Sequence, residues 1–190
     1  MKQFVDKEGA MHKKILILNT SPRKKGNSHL LAEALAKGAL EAGHQVDVLE
    51  LGAAHIGPCL ACGHCRRQPG QCVQADDMAK VREAVDAAEI LVFAGPLYYF
   101  GLPAQMKLMI DRFYAYGGAA YPRRDCLLLM TCADDDAKYF AAAELNYQLA
   151  LVDYIGWQDR GRLLVHGVNE AGDIAGHPAL QTAYEMGKTL

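Results

Sequence analysis

The chain has 190 residues, a length suited to one domain with a full hydrophobic core. A formal net charge of −2 gives no electrostatic case for binding nucleic acid or an anionic membrane surface. The composition, 51% hydrophobic and 22% charged, is that of a globular protein, and no apolar run approaches the roughly 20 residues of a membrane span.

Residues 1–12 are polar, lack periodicity and lack the apolar core of a secretory signal. They read as an N-terminal extension, and a cytoplasmic protein is expected. Lys14-Ile-Leu-Ile-Leu-Asn19 is a continuous apolar run, as in a strand buried on both faces. A polar loop, Thr20–Asn27, leads into a helix over residues 28–42, stopped by Gly43. Residues 45–51 partly alternate and suggest an edge strand. Residues 52–75 have no periodicity and form a cysteine-rich insert. Asp76-Asp77 then opens a helix to about Ala88, with carboxylates in its first turn where they favour the dipole.

Residues 90–95 are a third strand, residues 103–113 a helix with Pro103 at its start, and residues 126–131 a fourth strand. A long Ala-rich helix follows over 136–154, then a fifth strand at 162–166 and a closing helix at 178–189. Five strands alternating with five helices imply an α/β fold, a parallel sheet covered on both faces. The continuous apolar runs suit the centre and the mixed second and fifth strands suit the edges. That gives the flavodoxin-like order 2-1-3-4-5, a three-layer sandwich over residues 13–190.

In such a sheet, ligands bind beyond the carboxyl ends of the strands, where strands one and three diverge. The loop there carries Ser21, Arg23, Gly26, Asn27 and Ser28 ahead of a helix N-terminus, a setting for a phosphate monoester. It lacks the glycine patterns of nucleotide triphosphatases and dinucleotide-binding folds. The simpler alternative is a turn capped by Asn27 or Ser28. His29 is the histidine placed to approach the phosphate. The second loop, Pro96-Leu-Tyr-Tyr-Phe-Gly101, suits a flat ring: backbone groups reach its polar edge while Leu97, Tyr98, Tyr99 and Phe100 line its face. Three successive aromatics in a loop cannot all point inward.

Cys59, Cys62, Cys65 and Cys72 follow the spacing C-x2-C-x2-C-x6-C. Three thiols at three-residue steps meet three corners of an iron–sulfur cubane, and the longer loop with Pro69 and Gly70 allows a fourth. A [4Fe–4S] cluster, a zinc ion and metal-free thiols are the three readings of this motif. Cys126 and Cys132 flank the fourth strand as small core residues, with Cys132 at the strand end. Lys107, Asp111 and Arg112 read as structural ion pairs or subunit contacts, not catalysts, and Asp134-Asp135-Asp136 as a loop with helix-capping carboxylates.

On the residues Ser21–Ser28, Gly95–Gly101, Lys107, Asp111-Arg112 and Cys59–Cys72 followed by Asp76-Asp77-Met78, the chain resembles the NAD(P)H-dependent FMN reductase group of flavodoxin-like proteins. Within that group it is similar to the iron–sulfur flavoprotein branch. The resemblance implies bound FMN, a homodimer or homotetramer, and NAD(P)H or a ferredoxin-type protein as redox partner. No acid–base triad is expected, because the flavin carries the chemistry.

Overall fold

The computed structural model describes residues 12–116 and 121–190. The extension expected over residues 1–12 lies outside the described residues except for His12.

Strands β1 (Lys14–Asn19), β2 (Gln45–Glu50), β3 (Ile90–Pro96), β4 (Asp125–Thr131) and β5 (Gln158–Val165) form one parallel sheet in the order β2-β1-β3-β4-β5. The expected topology is the one observed. The central strands β1, β3 and β4 are almost wholly buried, whereas β2 and β5 are partly exposed along their lengths. Period two sorts each central strand between two cores. Ile15 and Ile17 face helices α1 (Asn27–Glu41) and α6 (Pro178–Lys188). Leu16 and Leu18 face α3 (Met78–Ala87), α4 (Ala104–Arg112) and α5 (Ala141–Tyr147). Helices α1 and α6 touch through glycines: a Cβ on Gly38 would lie 1.9 Å from the Tyr184 carbonyl oxygen, and one on Gly187 would lie 2.1 Å from that of Leu35.

Four local expectations are corrected. Helix α1 starts behind Gly26, which makes no side-chain cap, because Asn27 and Ser28 already lie within the helix. Helix α3 starts at Met78 with no acidic residue in its first turn. Asp76 and Asp77 precede it and accept hydrogen bonds from the Gly57 and His55 N–H groups at 2.9 and 3.0 Å. The Ala-rich stretch is not one helix but a 3-10 turn at Ala137–Phe140, then α5, then a π-helical stretch at Gln148–Tyr154. Strand β5 begins at Gln158, ahead of the apolar run, because parallel pairing with Asp125 and Cys126 recruits polar residues. The insert also holds a short helix, α2 (His64–Arg67), entered through Gly63 at φ 66°.

Candidate functional site: two loops and a cysteine cavity

The first loop is held from below by strand ends. Thr20 donates to the Ala94 carbonyl through its backbone N–H at 2.8 Å and its hydroxyl at 2.9 Å. This fastens β1 to β3, and it requires glycine next door: a Cβ on Gly95 would lie 2.3 Å from Thr20 Oγ1. The chain then turns on its own side chains. Ser21 N–H donates to Asn19 Oδ1 at 3.2 Å, and Arg23 N–H donates to Ser21 Oγ at 3.3 Å. Asn19, Thr20, Ser21, Asn27 and Ser28 are all buried, which concentrates polar groups where the first-turn N–H groups of α1 have no helical acceptor.

Arg23 is exposed, and its Nη1 donates to the Asn169 carbonyl at 3.0 Å. The Asn27 amide donates to Glu170 O at 2.9 Å and accepts from Gly172 and Ile174 N–H at 3.1 and 3.2 Å. Thus Asn27 braces the loop after β5. That bridge spans more than 140 residues of sequence, and nothing local signals it. His29 turns to Asn19, Glu33 and Glu50.

The second loop is a tight hairpin. Tyr98 and Gly101 exchange backbone hydrogen bonds of 3.3 and 3.0 Å, and the two residues between them, Tyr99 and Phe100, lie at φ 45° and 61°. Two successive left-handed residues make a turn that normally selects Asn-Gly; aromatic side chains there store strain. Tyr99 is 100% exposed, so no protein contact offsets its strain. Phe100 packs on Tyr139 with ring centroids 4.9 Å apart. Pro96 ends β3 beside Thr131, and Leu97 N–H donates to the Thr131 carbonyl at 2.8 Å. Leu97, Tyr99, Phe100, Cys132 and Tyr139 line an open cavity of about 270 Å³ beyond the ends of β3 and β4. Cys132 sits at its floor, buried, and burial pushes its thiol pKa up.

All four cysteines of the insert line a single cavity of about 380 Å³, with His64, Arg112 and Tyr114 among its other walls. Cys59, Cys62 and Cys72 are exposed, and Cys65 is half-buried. Among the described residues, no three His, Cys, Asp or Glu side chains converge closely enough to share one metal ion. A cluster fits the donor set better than a single ion does. In a cubane each iron takes its own thiolate, so four thiols need not meet at one point.

The cavity also contains a cation that sequence reasoning left as a structural ion pair. Arg112 is 3% exposed and donates from Nη2 to Cys72 Sγ at 3.3 Å. Its Nη1 donates to Asp76 Oδ2 at 2.7 Å and to the Gly57 carbonyl at 2.9 Å, while its buried Nε has no hydrogen-bond partner among the described residues. Burial opposes its charge, but the hydrogen bonds and attraction of Asp76, with Cys72 adding to them, raise its pKa above the usual arginine value. The Asp76-Asp77 pair after the last cysteine was the available sequence signal. Lys107 and Asp111 do form the expected ion pair, at 2.6 Å.

The insert leaves β2 at the carboxyl end of the sheet, but its cysteines settle against residues 111–115, at the far end of α4 from the aromatic loop. Nine residues of helix span about 13 Å. The cysteine cavity and the aromatic cavity have no lining residue in common.

A model of the family described as NADPH-dependent FMN reductase matches residues 13–155. The chain belongs to that family. An iron-sulfur flavoprotein of Archaeoglobus fulgidus is 37% identical over 51% of this chain and 44% of its own length. One from Methanosarcina thermophila is 37% identical over 52% of this chain and 51% of its own. The chain therefore spans about half the length of these relatives. An FMN-dependent NADH:quinone oxidoreductase of Opitutus terrae is 33% identical over 58% of this chain and 67% of its own. Among solved structures, an NAD(P)H:quinone oxidoreductase from Methanothermobacter marburgensis superposes with a TM-score of 0.74 over 94% of this chain and 96% of that one. At 23% identity it speaks for the flavodoxin-like fold alone.

Proposed function

We propose that this chain is an FMN-dependent oxidoreductase of the iron–sulfur flavoprotein type. FMN phosphate binds at Ser21, Arg23, Gly26, Asn27 and Ser28, and its ring lies on Pro96, Leu97, Tyr98, Tyr99, Phe100 and Gly101. Cys59, Cys62, Cys65 and Cys72 hold a [4Fe–4S] cluster. The observation that carries this reading is the gathering of all four thiols around one cavity beside a buried guanidinium. Family membership supports the flavin, and the named relatives support the cluster.

Bound FMN supplies conversion between two-electron and one-electron chemistry. The chain's own residues bind and orient it. Buried hydroxyls and amides surround the phosphate, Arg23 offsets its charge, and the strained hairpin presents Tyr99 to the ring. Partners are a small-molecule donor such as NAD(P)H or a ferredoxin-type protein, in a cytoplasmic homodimer or homotetramer. Among the described residues, no helix is long and apolar enough to cross a membrane.

A second reading is a clusterless NAD(P)H-dependent FMN or quinone reductase. It is favoured by the family match. Iron and acid-labile sulfide per FMN, measured on protein purified without oxygen, separate the two. About four of each per flavin supports the cluster. FMN without iron after reconstitution, with rapid NAD(P)H turnover, supports the reductase.

A further inference from the structure

Asn19 ends β1 and is 1% exposed, so its amide orientation is fixed by its partners. Its Oδ1 accepts from Ser21 N–H at 3.2 Å, and its Nδ2 lies 2.8 Å from Glu50 Oε2. A carboxylate only accepts and a backbone N–H only donates, so neither contact survives an exchange of the amide oxygen and nitrogen. The second Nδ2 hydrogen is then left for His29 Nδ1, at 2.8 Å. His29 Nδ1 is thereby an acceptor. The ring proton resides on Nε2, which donates to Glu33 Oε1 at 3.0 Å.

The ring in this arrangement carries its single proton on Nε2. Glu33, from its own helix, reaches Nε2, and Glu50, from β2, has Oε1 3.5 Å from Nδ1. From β1 the ring meets only the Asn19 amide described above. Protonation at Nδ1 would set an N–H against the Asn19 N–H. The relief open to it is to turn Nδ1–H to Glu50, and Asn19 then loses one of the bonds that orient it under Ser21.

We infer that His29 is a positioning residue for the phosphate loop: neutral, in its Nε2–H tautomer, it holds Asn19, which holds Ser21, and protonating it loosens the loop and weakens FMN binding. This rests on the assignment of residues 21–28 to the FMN phosphate. The proton moves between solvent and Nδ1; no other covalent bond changes. Acidification favours the imidazolium form, so affinity falls as pH falls.

The test is FMN affinity of the full chain, by quenching of flavin fluorescence, between about pH 5 and 8, where imidazoles titrate. The phosphate monoester itself titrates near about 6, so wild type is compared with His29→Asn, whose carboxamide oxygen replaces Nδ1 as an acceptor without titrating. Wild-type affinity is expected to fall on acidification more steeply than that of His29→Asn, by up to about tenfold per pH unit, the slope for one linked proton. Coincident profiles for wild type and His29→Asn overturn the inference. Wild type that binds no FMN at any pH overturns instead the assignment of the phosphate loop.

Discussion

Arg112 Nη2 donates a 3.3 Å hydrogen bond to Cys72 Sγ, and Asp76 holds the same guanidinium at 2.7 Å. Helix α4 and the cysteine insert are thus joined through a buried cation. The Arg112 side chain is 2% exposed and that of Asp76 is 16% exposed, so the pair sits largely out of water. Removing one partner of a buried pair leaves the other uncompensated. Arg112→Gln is expected to cost about 3–5 kcal/mol of stability, and Arg112→Lys less, because it retains charge but not the fork. Urea unfolding monitored by Trp157 fluorescence checks both values.

The same pair sets an acid limit. Burial by itself would raise the Asp76 pKa, but the Arg112 hydrogen bond, the Gly57 and Met78 N–H groups and the Arg112 charge together hold it below its ordinary 3.8. The unfolded chain therefore binds this proton at higher pH than the folded one does. The stabilisation is complete above pH 3.8 and is lost as pH falls through the lower folded value. Asp76→Asn should have a shallower loss of stability on acidification, read from urea midpoints at several acidic pH values. Parallel curves would remove Asp76 from the account.

Arg23→Ala is expected to weaken FMN binding by about 1.5–3 kcal/mol, the range for a hydrogen bond to a charged group. Its guanidinium already donates to the Asn169 carbonyl, which holds it near the loop. Unchanged affinity by flavin fluorescence titration would place the phosphate elsewhere.

Cys62 is exposed, so Cys62→Ser disturbs no packing. The expected variant folds, binds FMN and holds no stoichiometric iron. Full iron and sulfide content in that variant would contradict the four-cysteine assignment.

Tyr99 is strained at φ 45° and fully exposed. A left-handed non-glycine residue costs on the order of 1–3 kcal/mol. Glycine relieves this, while adding freedom to the unfolded chain. Tyr99→Gly should raise the stability of the FMN-free protein by about 1 kcal/mol and lower its FMN affinity. Thermal unfolding with and without FMN reads both effects. A loss of stability without FMN would mean that the turn is not strained.

The strand order, the two loops and the cysteine spacing were all legible in the sequence. They depend on local signals: an apolar run such as Ile15–Leu18, a glycine–proline bracket around Tyr98–Phe100, thiols at three-residue steps. What tertiary structure alone decided was the partner of each polar side chain. Asn27 is a plausible cap by sequence, yet it braces residues 170–174. His29 is a plausible phosphate ligand by sequence, yet its Nδ1 lies 2.8 Å from the Asn19 amide. Arg112 reads as a structural ion pair or subunit contact, and the fold gives it Asp76 and Cys72 as partners. Periodicity reports which face of an element leaves water, because burial of apolar area is summed over many residues and tolerates error in any one. A buried hydrogen bond depends on one donor and one acceptor meeting within a few tenths of an ångström, often from elements far apart in the chain. Only the packed fold brings them together.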